Sequence, residues 1–182
     1  MFAGHQSDYT FASSEDGLTV TVTDRSTGDV DTVTNVETLS FDDGDIGVSH
    51  DGVGLVLTGQ STDSIEVVGP VGVTVLGEAG NDTLTGGAGN DTIDGGEGDD
   101  TITGGLGDDV IIASDGSDTV SVSSGSGVLT VEAASQVSVS ANEEAFNTLL
   151  NHASSIETAV RSDCLLYTSD AADDMQCVDL GG

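Results

Sequence analysis

From Gly77 to Ser121 the chain reads GEAGNDTLT-GGAGNDTID-GGEGDDTIT-GGLGDDVII-ASDGSDTVS, which is five units of nine residues without an insertion. Three positions keep one residue type throughout. Position four is glycine: Gly80, Gly89, Gly98, Gly107 and Gly116. Position six is aspartate: Asp82, Asp91, Asp100, Asp109 and Asp118. Position eight is a large aliphatic residue: Leu84, Ile93, Ile102, Ile111 and Val120. Self-similarity at a fixed period indicates a repeat architecture.

Each unit predicts one short strand and one turn. Positions seven to nine, Thr92-Ile93-Asp94 in the second unit, favour a strand whose single aliphatic side chain points inward. The glycines before it supply the positive φ angles of a tight turn. Two units of nine then make one coil of 18 residues, so units two apart stack as parallel strands about 4.8 Å apart. We therefore expect an all-β chain built around a parallel β-roll.

This stacking brings acidic side chains together. Position-six aspartates would form two rows, one holding Asp82, Asp100 and Asp118 and the other Asp91 and Asp109, with neighbours roughly 5 Å apart. Two carboxylates that face one gap suit Ca²⁺, which takes oxygen ligands at about 2.3–2.6 Å. Carbonyl groups of the turns would complete the coordination. We expect about three sites, with the one that uses Asp118 the weakest.

The units resemble the RTX family, the hemolysin-type calcium-binding proteins, whose repeat has the pattern G-G-x-G-x-D-x-U-x. The resemblance implies a right-handed parallel β-roll (a β-solenoid) with Ca²⁺ as its cofactor, and position five is expected to contribute its backbone carbonyl. The candidate metal-site residues are Asp82, Asp91, Asp100, Asp109, Asp118, Gly77, Gly80, Asn81, Gly86, Gly87, Gly89, Asn90, Gly95, Gly96, Gly98, Asp99, Gly104, Gly105, Gly107 and Asp108. Glu78, Ala113 and Ser114 depart from the pattern because each stands where it has glycine.

The charge of the chain excludes several classes of function. Asp and Glu number 33 and Lys and Arg number 2, which gives a net charge of −31. Such a chain would be repelled by nucleic acid and by anionic membrane surfaces. No apolar run reaches the roughly 18 residues of a membrane helix, so no membrane insertion is expected. The first residues have no basic and apolar regions, which predicts no N-terminal signal peptide.

The repeats themselves carry eleven acidic residues and no basic one between Glu78 and Asp118. Two like charges 5 Å apart repel by roughly 3 kcal/mol at an effective dielectric constant of 20. Each coil buries two aliphatic side chains, worth roughly 1.5–3 kcal/mol apiece. We therefore predict that the roll is disordered without calcium and folds on binding it, with an affinity of about 10⁻⁴ to 10⁻³ M. Asp94, Glu97 and Asp115 follow neither row and are expected to be solvated.

Residues 1–48 predict an antiparallel β module. Asp16-Gly17 is a hairpin signal, and the alternation of Leu18, Val20 and Val22 with threonines predicts one buried face. Residues 31–44, DTVTNVETLSFDDG, are similar to a module that often accompanies RTX repeats in large secreted bacterial proteins.

Within residues 31–44, Phe41 is expected to anchor the core and Glu37 to cap a turn. For Asp42, Asp43 and the nearby Asp45, a further calcium site is the alternative to a structural role.

The remaining segments flank the roll. Residues 49–76 predict irregular β coils that stack without calcium, and residues 122–163 predict ion-free β coils followed by one short helix over 142–152. That helix would close the end of the roll, with partner binding as the alternative. Residues 164–182 resemble the translation of a sequencing-adapter read-through and are set aside as an artefactual tail. A disulfide or metal pair of Cys164 and Cys177 is the alternative.

No catalytic constellation is present in the sequence. His5, His50 and His152 are far apart and are expected at the surface, and the scattered serines have no base partner. No acidic loop has the Glu that an EF-hand requires at position twelve, and the GxG stretches precede no helix.

The leading hypothesis is a non-catalytic, calcium-dependent structural module of a secreted bacterial RTX protein. The resemblance implies an extracellular location and export of the parent protein by type I secretion machinery. A cell-surface partner would make the module an adhesin. The other alternative is the calcium-stabilised tail of a secreted RTX enzyme, such as a protease, lipase or peroxidase.

Overall fold

A computed structural model describes residues 1–52 and 54–122, and beyond them the backbone of residues 128–131, 136–141, 156–161, 164–167 and 176–179. The fold is all-β: an antiparallel sheet at the N-terminus precedes a parallel β-solenoid of about four turns. In these ranges the one helical element is the 3-10 turn η1(Gln6–Asp8), and no helix is long and apolar enough to cross a membrane. The strands are β1(Tyr9–Ser13), β2(Thr19–Asp24), β3(Val30–Thr34), β4(Thr38–Ser40), β5(Asp45–His50), β6(Leu55–Thr58), β7(Ser64–Glu66), β8(Thr74–Leu76), β9(Thr83–Gly87), β10(Thr92–Asp94), β11(Thr101–Gly105), β12(Val110–Ala113), β13(Ser117–Val122), β14(Val128–Val131), β15(Gln136–Ala141), β16(Ile156–Arg161), β17(Cys164–Tyr167) and β18(Gln176–Asp179).

The N-terminal sheet consists of β1, β2 and β3 in antiparallel order. The hairpin expected at Asp16-Gly17 is confirmed, since β1 and β2 pair around it. Val20 and Val22 are buried as predicted, but the prediction for Leu18 was wrong, because its side chain is 58% exposed. Leu18 lies in the turn before β2 begins at Thr19, where strand alternation does not yet apply.

The solenoid has two sheets, and successive units alternate between them. One sheet runs β6-β8-β10-β12-β14 and the other β7-β9-β11-β13-β15, all in parallel. Partner strands of the repeats are offset by 18 residues, as Thr83 beside Thr101 shows. The predicted coil of two units is therefore confirmed. The aliphatic residues of position eight all point inward and are at most 1% exposed: Leu84, Ile93, Ile102, Ile111 and Val120.

The turns approach each other closely enough to require glycine. Gly98 has a φ of +132°, and a Cβ atom there would overlap the carbonyl group of Gly80, which holds the same position one coil earlier. A side chain at Gly98 would thus strain its own backbone and collide with the neighbouring coil. The repeat glycines therefore set how tightly the coils stack.

The N-terminal strands cover the first edge of both solenoid sheets. β5 pairs antiparallel with β6 and continues one sheet, and β4 follows it. On the other sheet, Phe11 of β1 forms a bridge to Val67 next to β7. Phe41 is 7% exposed and packs against the rings of Phe2, Tyr9 and Phe11, so its predicted core role is confirmed. The helix predicted over residues 142–152 lies outside the described residues.

Glu78 has a φ of +73° in the place where the third unit has Gly96, which itself has a φ of +95°. A left-handed conformation costs a residue with a Cβ about 1 kcal/mol or more. We expect Glu78→Gly to raise the free energy of unfolding by about 1 kcal/mol, measured by urea denaturation in saturating calcium.

The matched control for Glu78→Gly is Glu97→Gly. Glu97 is exposed in the corresponding turn one coil later and does not have a positive φ. Its replacement removes the same charge but gains no relief of strain, so it should cost about 0.5–1 kcal/mol. Equal effects of the two substitutions would show that charge, and not backbone strain, governs stability at Glu78.

Candidate metal centre

The position-six aspartates face the interior of the solenoid. Each lies two residues before the buried aliphatic side chain of its unit. In the first four units it comes one residue before the strand begins, but its carbonyl already belongs to the ladder, as in the hydrogen bonds from Thr101 N–H to Asp82 and from Val110 N–H to Asp91. The alternation of the strand therefore applies at this position. The D-x-aliphatic spacing therefore turns the carboxylate inward together with the hydrophobic side chain. All five side chains are at most 2% exposed: Asp82, Asp91, Asp100, Asp109 and Asp118.

One oxygen of each carboxylate, Oδ1, links neighbouring coils by a hydrogen bond. The backbone N–H of Asp82 donates to Asp100 Oδ1 at 2.9 Å, and that of Asp100 donates to Asp118 Oδ1 at 3.0 Å. In the second row the N–H of Asp91 donates to Asp109 Oδ1 at 3.0 Å. The structure therefore places the aspartates in the two expected rows, and each row is bonded through Oδ1.

The other oxygen of each carboxylate, Oδ2, accepts no hydrogen bond although it is buried. In the first unit it lies beside the position-one glycine, where a Cβ on Gly77 would overlap both Asp82 Oδ2 and the carbonyl oxygen of Gly95. The second unit repeats this arrangement: a Cβ on Gly86 would overlap Asp91 Oδ2. A carboxylate oxygen and a carbonyl oxygen thus converge on space that the missing glycine side chain leaves open.

This donor set fits calcium. Ca²⁺ takes carboxylate and carbonyl oxygens, and a buried anionic oxygen with no donor is costly unless a cation neutralises it. Among residues 1–52 and 54–121, no three His, Cys, Asp or Glu side chains come together to hold a metal. A cation in these gaps would therefore take most of its ligands from backbone carbonyls, which glycine leaves accessible.

The fifth unit differs at the same point. Asp118 Oδ2 is also buried without a hydrogen bond, but position one is Ala113, whose side chain is fully buried. A methyl group therefore occupies the position that Gly77, Gly86 and Gly95 leave open. This is the physical basis for ranking the Asp118 site last.

The remaining candidate residues have structural contacts in the turns. At position five the backbone N–H of Asp99 donates to Asn81 Oδ1 and that of Asp108 to Asn90 Oδ1, each at 3.0 Å. These amide side chains form an outer row of hydrogen bonds, which the sequence did not suggest. Six glycines of positions two and four lie where a Cβ would collide with the coil before them: Gly80, Gly89, Gly96, Gly98, Gly105 and Gly107. At Gly87 a Cβ would make a tight contact, 3.2 Å from the carbonyl oxygens of Val67 and Gly69. The position-one glycines of the third and fourth units, Gly95 and Gly104, lie beside Oδ2 of Asp100 and Asp109.

Two buried polar residues were missed by the sequence interpretation. Asp63 is 3% exposed, and its N–H donates to Asp82 Oδ1 at 2.7 Å, so the first row begins there. Its signal was Asp63-Ser64-Ile65, which keeps the D-x-aliphatic spacing. It was obscured because the spacing from Asp63 to Asp82 is 19 residues and not 18. Gln6, which contacts Asp63, has no local signal.

The alternative calcium site in residues 42–45 has no comparable geometry. Asp42 Oδ2 accepts the backbone N–H of Gly4, and both oxygens of Asp43 accept that of Gln6. The side chain of His5 also contacts Asp43, at 3.2 Å. These carboxylates hold the N-terminal segment against the loop before β5.

The comparisons with known proteins agree with this geometry. Residues 74–102 and 94–129 match the family model described as the RTX calcium-binding nonapeptide repeat in four copies. This part of the chain therefore consists of RTX repeats, as the resemblance indicated, and the RTX repeat is a structural calcium-binding unit and not a catalytic one.

A solved structure is similar at a much lower level. It is the crystal structure of the extracellular lipase LipA from Serratia marcescens, with a TM-score of 0.30 and 18% identity over 92% of this chain. The chain spans 28% of that lipase chain, and a likeness of this size carries nothing about activity. No curated protein sequence matches the chain.

Burial raises the pKa of all five inward carboxyl groups, to about 6 for Asp82 and about 7 for Asp91. Backbone hydrogen bonds oppose the shift. A neighbouring carboxylate, Asp100 for Asp82 and Asp109 for Asp91, adds to it. The folded state therefore holds these protons more tightly than the unfolded chain does.

We expect the free energy of unfolding of the metal-free protein to fall as pH rises from about 4 to about 7. Below the ordinary value of 3.8 both states are protonated and the shift has no effect. Above it the unfolded chain ionises first, and each shifted group costs up to about 1.4 kcal/mol per pH unit until its folded-state pKa is passed. Urea denaturation of protein stripped on a chelating resin measures this.

The variant Asp91→Asn should reduce the pH dependence, because an amide does not titrate. Stability that rose with pH over this window, or a slope unchanged in Asp91→Asn, would contradict the assignment of the slope to the buried carboxyl groups.

Proposed function

We propose that residues 77–121 bind calcium ions between their coils and fold on binding, as a structural module of a larger secreted bacterial protein. The observation that carries this proposal is the set of five buried Oδ2 atoms that have no hydrogen-bond donor, of which those of Asp82 and Asp91 lie beside a glycine carbonyl. The match of the same residues to a calcium-binding repeat supports it.

The proposed ligands follow from the gaps. Asp82 Oδ2 with the carbonyl of Gly95 would hold one ion, and Asp91 Oδ2 with the carbonyl of Gly104 another. Asp100 and Asp109 offer the same carboxylate oxygen beside a position-one glycine. When bound, calcium supplies positive charge that neutralises these carboxylates and links adjacent coils. The residues of the chain orient the oxygens and exclude water.

Folding without the ion is opposed by electrostatics. The shifted pKa values mean that at pH 7 the folded state forces buried carboxyl groups either to ionise without compensation or to keep a proton. Repulsion along a row adds roughly 3 kcal/mol per pair at 5 Å and an effective dielectric constant of 20. A small domain is stable by about 5–15 kcal/mol in all, so several such pairs suffice to unfold the repeats.

This balance suits a protein that must stay unfolded inside a cell and fold outside. The ligand energy appears as folding energy, and sites built mostly from carbonyls are weak, with dissociation constants of about 10⁻⁴ to 10⁻³ M. Such sites stay empty at low cytosolic calcium and fill at extracellular calcium. We therefore propose an extracellular location and passage through type I secretion machinery in the unfolded state.

The proposal is tested by a calcium titration followed by circular dichroism. β-structure of the repeats should be incomplete in chelator and should form as calcium rises into the millimolar range. A β signal that is already complete in chelator would overturn calcium-dependent folding.

Asp91→Asn should remove about one bound ion per chain and stabilise the metal-free fold, because it removes a buried charge and keeps the Oδ1 acceptor for Val73 N–H. Asp115→Asn is the control: Asp115 is exposed in the neighbouring turn, so the same change of charge there should leave the number of bound ions unaltered. Equilibrium dialysis counts the ions. If Asp91→Asn keeps the full number, Asp91 is not a ligand.

Ala113→Gly should create the missing gap in the fifth unit. Removing the buried methyl group opens the space beside Asp118 Oδ2, so we expect about one additional bound ion per chain. Ala79→Gly makes the same chemical change at an exposed turn position and should add none. Identical ion counts for the two variants would show that the methyl group of Ala113 does not limit the fifth site.

A further inference from the structure

Seven polar side chains are buried among residues 1–52 and 54–121, and they fall into two groups. Asp82, Asp91, Asp100, Asp109 and Asp118 each leave Oδ2 without a hydrogen-bond donor. Gln6 and Asp63, in contrast, have every buried side-chain atom paired. The first carboxylate of this row that lacks a donor on Oδ2 is therefore Asp82 and not Asp63, although Asp63 is the first residue of the row.

Gln6 donates to the oxygen of Asp63 that elsewhere in the row bonds to the preceding coil, and backbone N–H groups serve the oxygen that the other members leave without a donor. Its Nε2 donates to Asp63 Oδ1 at 2.6 Å, and its Oε1 accepts the N–H of Ser64 at 2.9 Å. Asp63 Oδ2 accepts two further N–H groups, from Gln60 at 2.7 Å and Ser61 at 3.0 Å. Three donors thus satisfy a buried carboxylate that has no cationic side chain among these contacts.

The position of Gln6 is itself fixed by the N-terminal module. Its side chain is fully buried in η1, and its backbone N–H donates to both oxygens of Asp43, at 2.9 and 3.1 Å. Gln6 and Asp63 are 57 residues apart in sequence, so their contact joins the N-terminus directly to the first coil. A buried amide held in this way loses little further entropy on bonding to Asp63.

We propose that Gln6 closes the aspartate row in place of a preceding coil, while the N–H groups of Gln60 and Ser61 satisfy the Asp63 oxygen that would otherwise need a metal ion. The N-terminal module and the first coil would then form a metal-independent end on which the calcium-bound coils are built. The inference rests on the proposed calcium function of the repeats.

The N-terminal module has the core to fold in this way. The rings of Phe2, Tyr9, Phe11 and Phe41 pack together, with centroids 5.2 to 5.9 Å apart, and Phe2 is the one of the four that is only partly buried. The other apolar side chains of this core are buried without intervening carboxylates: Val20, Val22, Leu39, Ile46 and Val48. β5 and β1 present ready edges to the two solenoid sheets. A repeat stack needs such an end, because each coil contacts its neighbours and the first has none before it.

Hydrogen exchange of the full chain in chelator and in millimolar calcium tests this role. In chelator the amides of Ser61 and Ser64, which bond to Asp63 Oδ2 and Gln6 Oε1, should be protected in the wild type, while those of residues 83–113 exchange freely. Gln6→Ala should lower protection of these two amides by at least about tenfold in chelator, since it leaves Asp63 Oδ1 without its donor and Ser64 without its acceptor. Gln60→Ala is the matched control, because the Gln60 side chain is exposed and its backbone N–H is retained.

A second variant keeps the size of the side chain and removes its amide donor. Gln6→Glu places a carboxylate against Asp63 Oδ1, so protection of the Ser61 and Ser64 amides should be lost in chelator, while Gln60→Glu behaves as the wild type. This variant also reports on the role of Gln6 if Gln6→Ala does not fold.

Two results would overturn the inference: Ser61 and Ser64 amides that are unprotected in the wild type in chelator, or equal effects of the substitutions at Gln6 and Gln60. Protection of residues 83–113 in chelator would instead refute calcium-dependent folding of the repeats. In that case the difference between Gln6 and Gln60 still upholds or overturns the closing role of Gln6.

Discussion

The structure depends on the pairing of a buried carboxylate with a residue that has no side chain. Oδ1 of each inward aspartate bonds to the backbone of the coil before it, while Oδ2 receives no donor and, in the first four units, faces a position-one glycine. The first oxygen fixes the stacking of coils, and the second makes that stacking expensive unless charge is neutralised. The same side chain therefore links adjacent coils and is expected to make the stability of the stack depend on neutralisation of its charge.

The interactions that stabilise the fold differ between the N-terminal strands and the repeats. The N-terminal strands bury aromatic and branched side chains in the ordinary way, whereas each repeat buries one aliphatic residue beside one aspartate. The ion pair between Arg25 and Glu66 and the bonds of Gln6 tie the two parts together at the first coil. Hydrophobic burial thus dominates where the chain begins, and electrostatics dominates in the repeats.

Much of the fold and of the candidate site could be predicted from the sequence, and the exceptions have physical causes. The period of nine predicted the coil, the inward aliphatic residues and the two rows, because strict spacing translates directly into stacking. Leu18 was misplaced because alternation was extended into a turn. Asp63 was missed because it precedes Asp82 by 19 residues and not by 18. The hydrogen-bonding role of the Asn81 side chain was missed because position five was expected to act through its backbone carbonyl.

The sequence of the repeats alone establishes the parallel solenoid, because a glycine, an aspartate and an aliphatic residue at constant spacing permit few other ways to bury the aliphatic side chain. They also place acidic side chains in rows, an arrangement that favours a bound cation on electrostatic grounds. The closure of the first row by Gln6 could not be read in the same way, because that contact spans 57 residues and follows no period. It arises because two segments that are far apart in the sequence pack against each other, and three-dimensional packing alone brings such groups together.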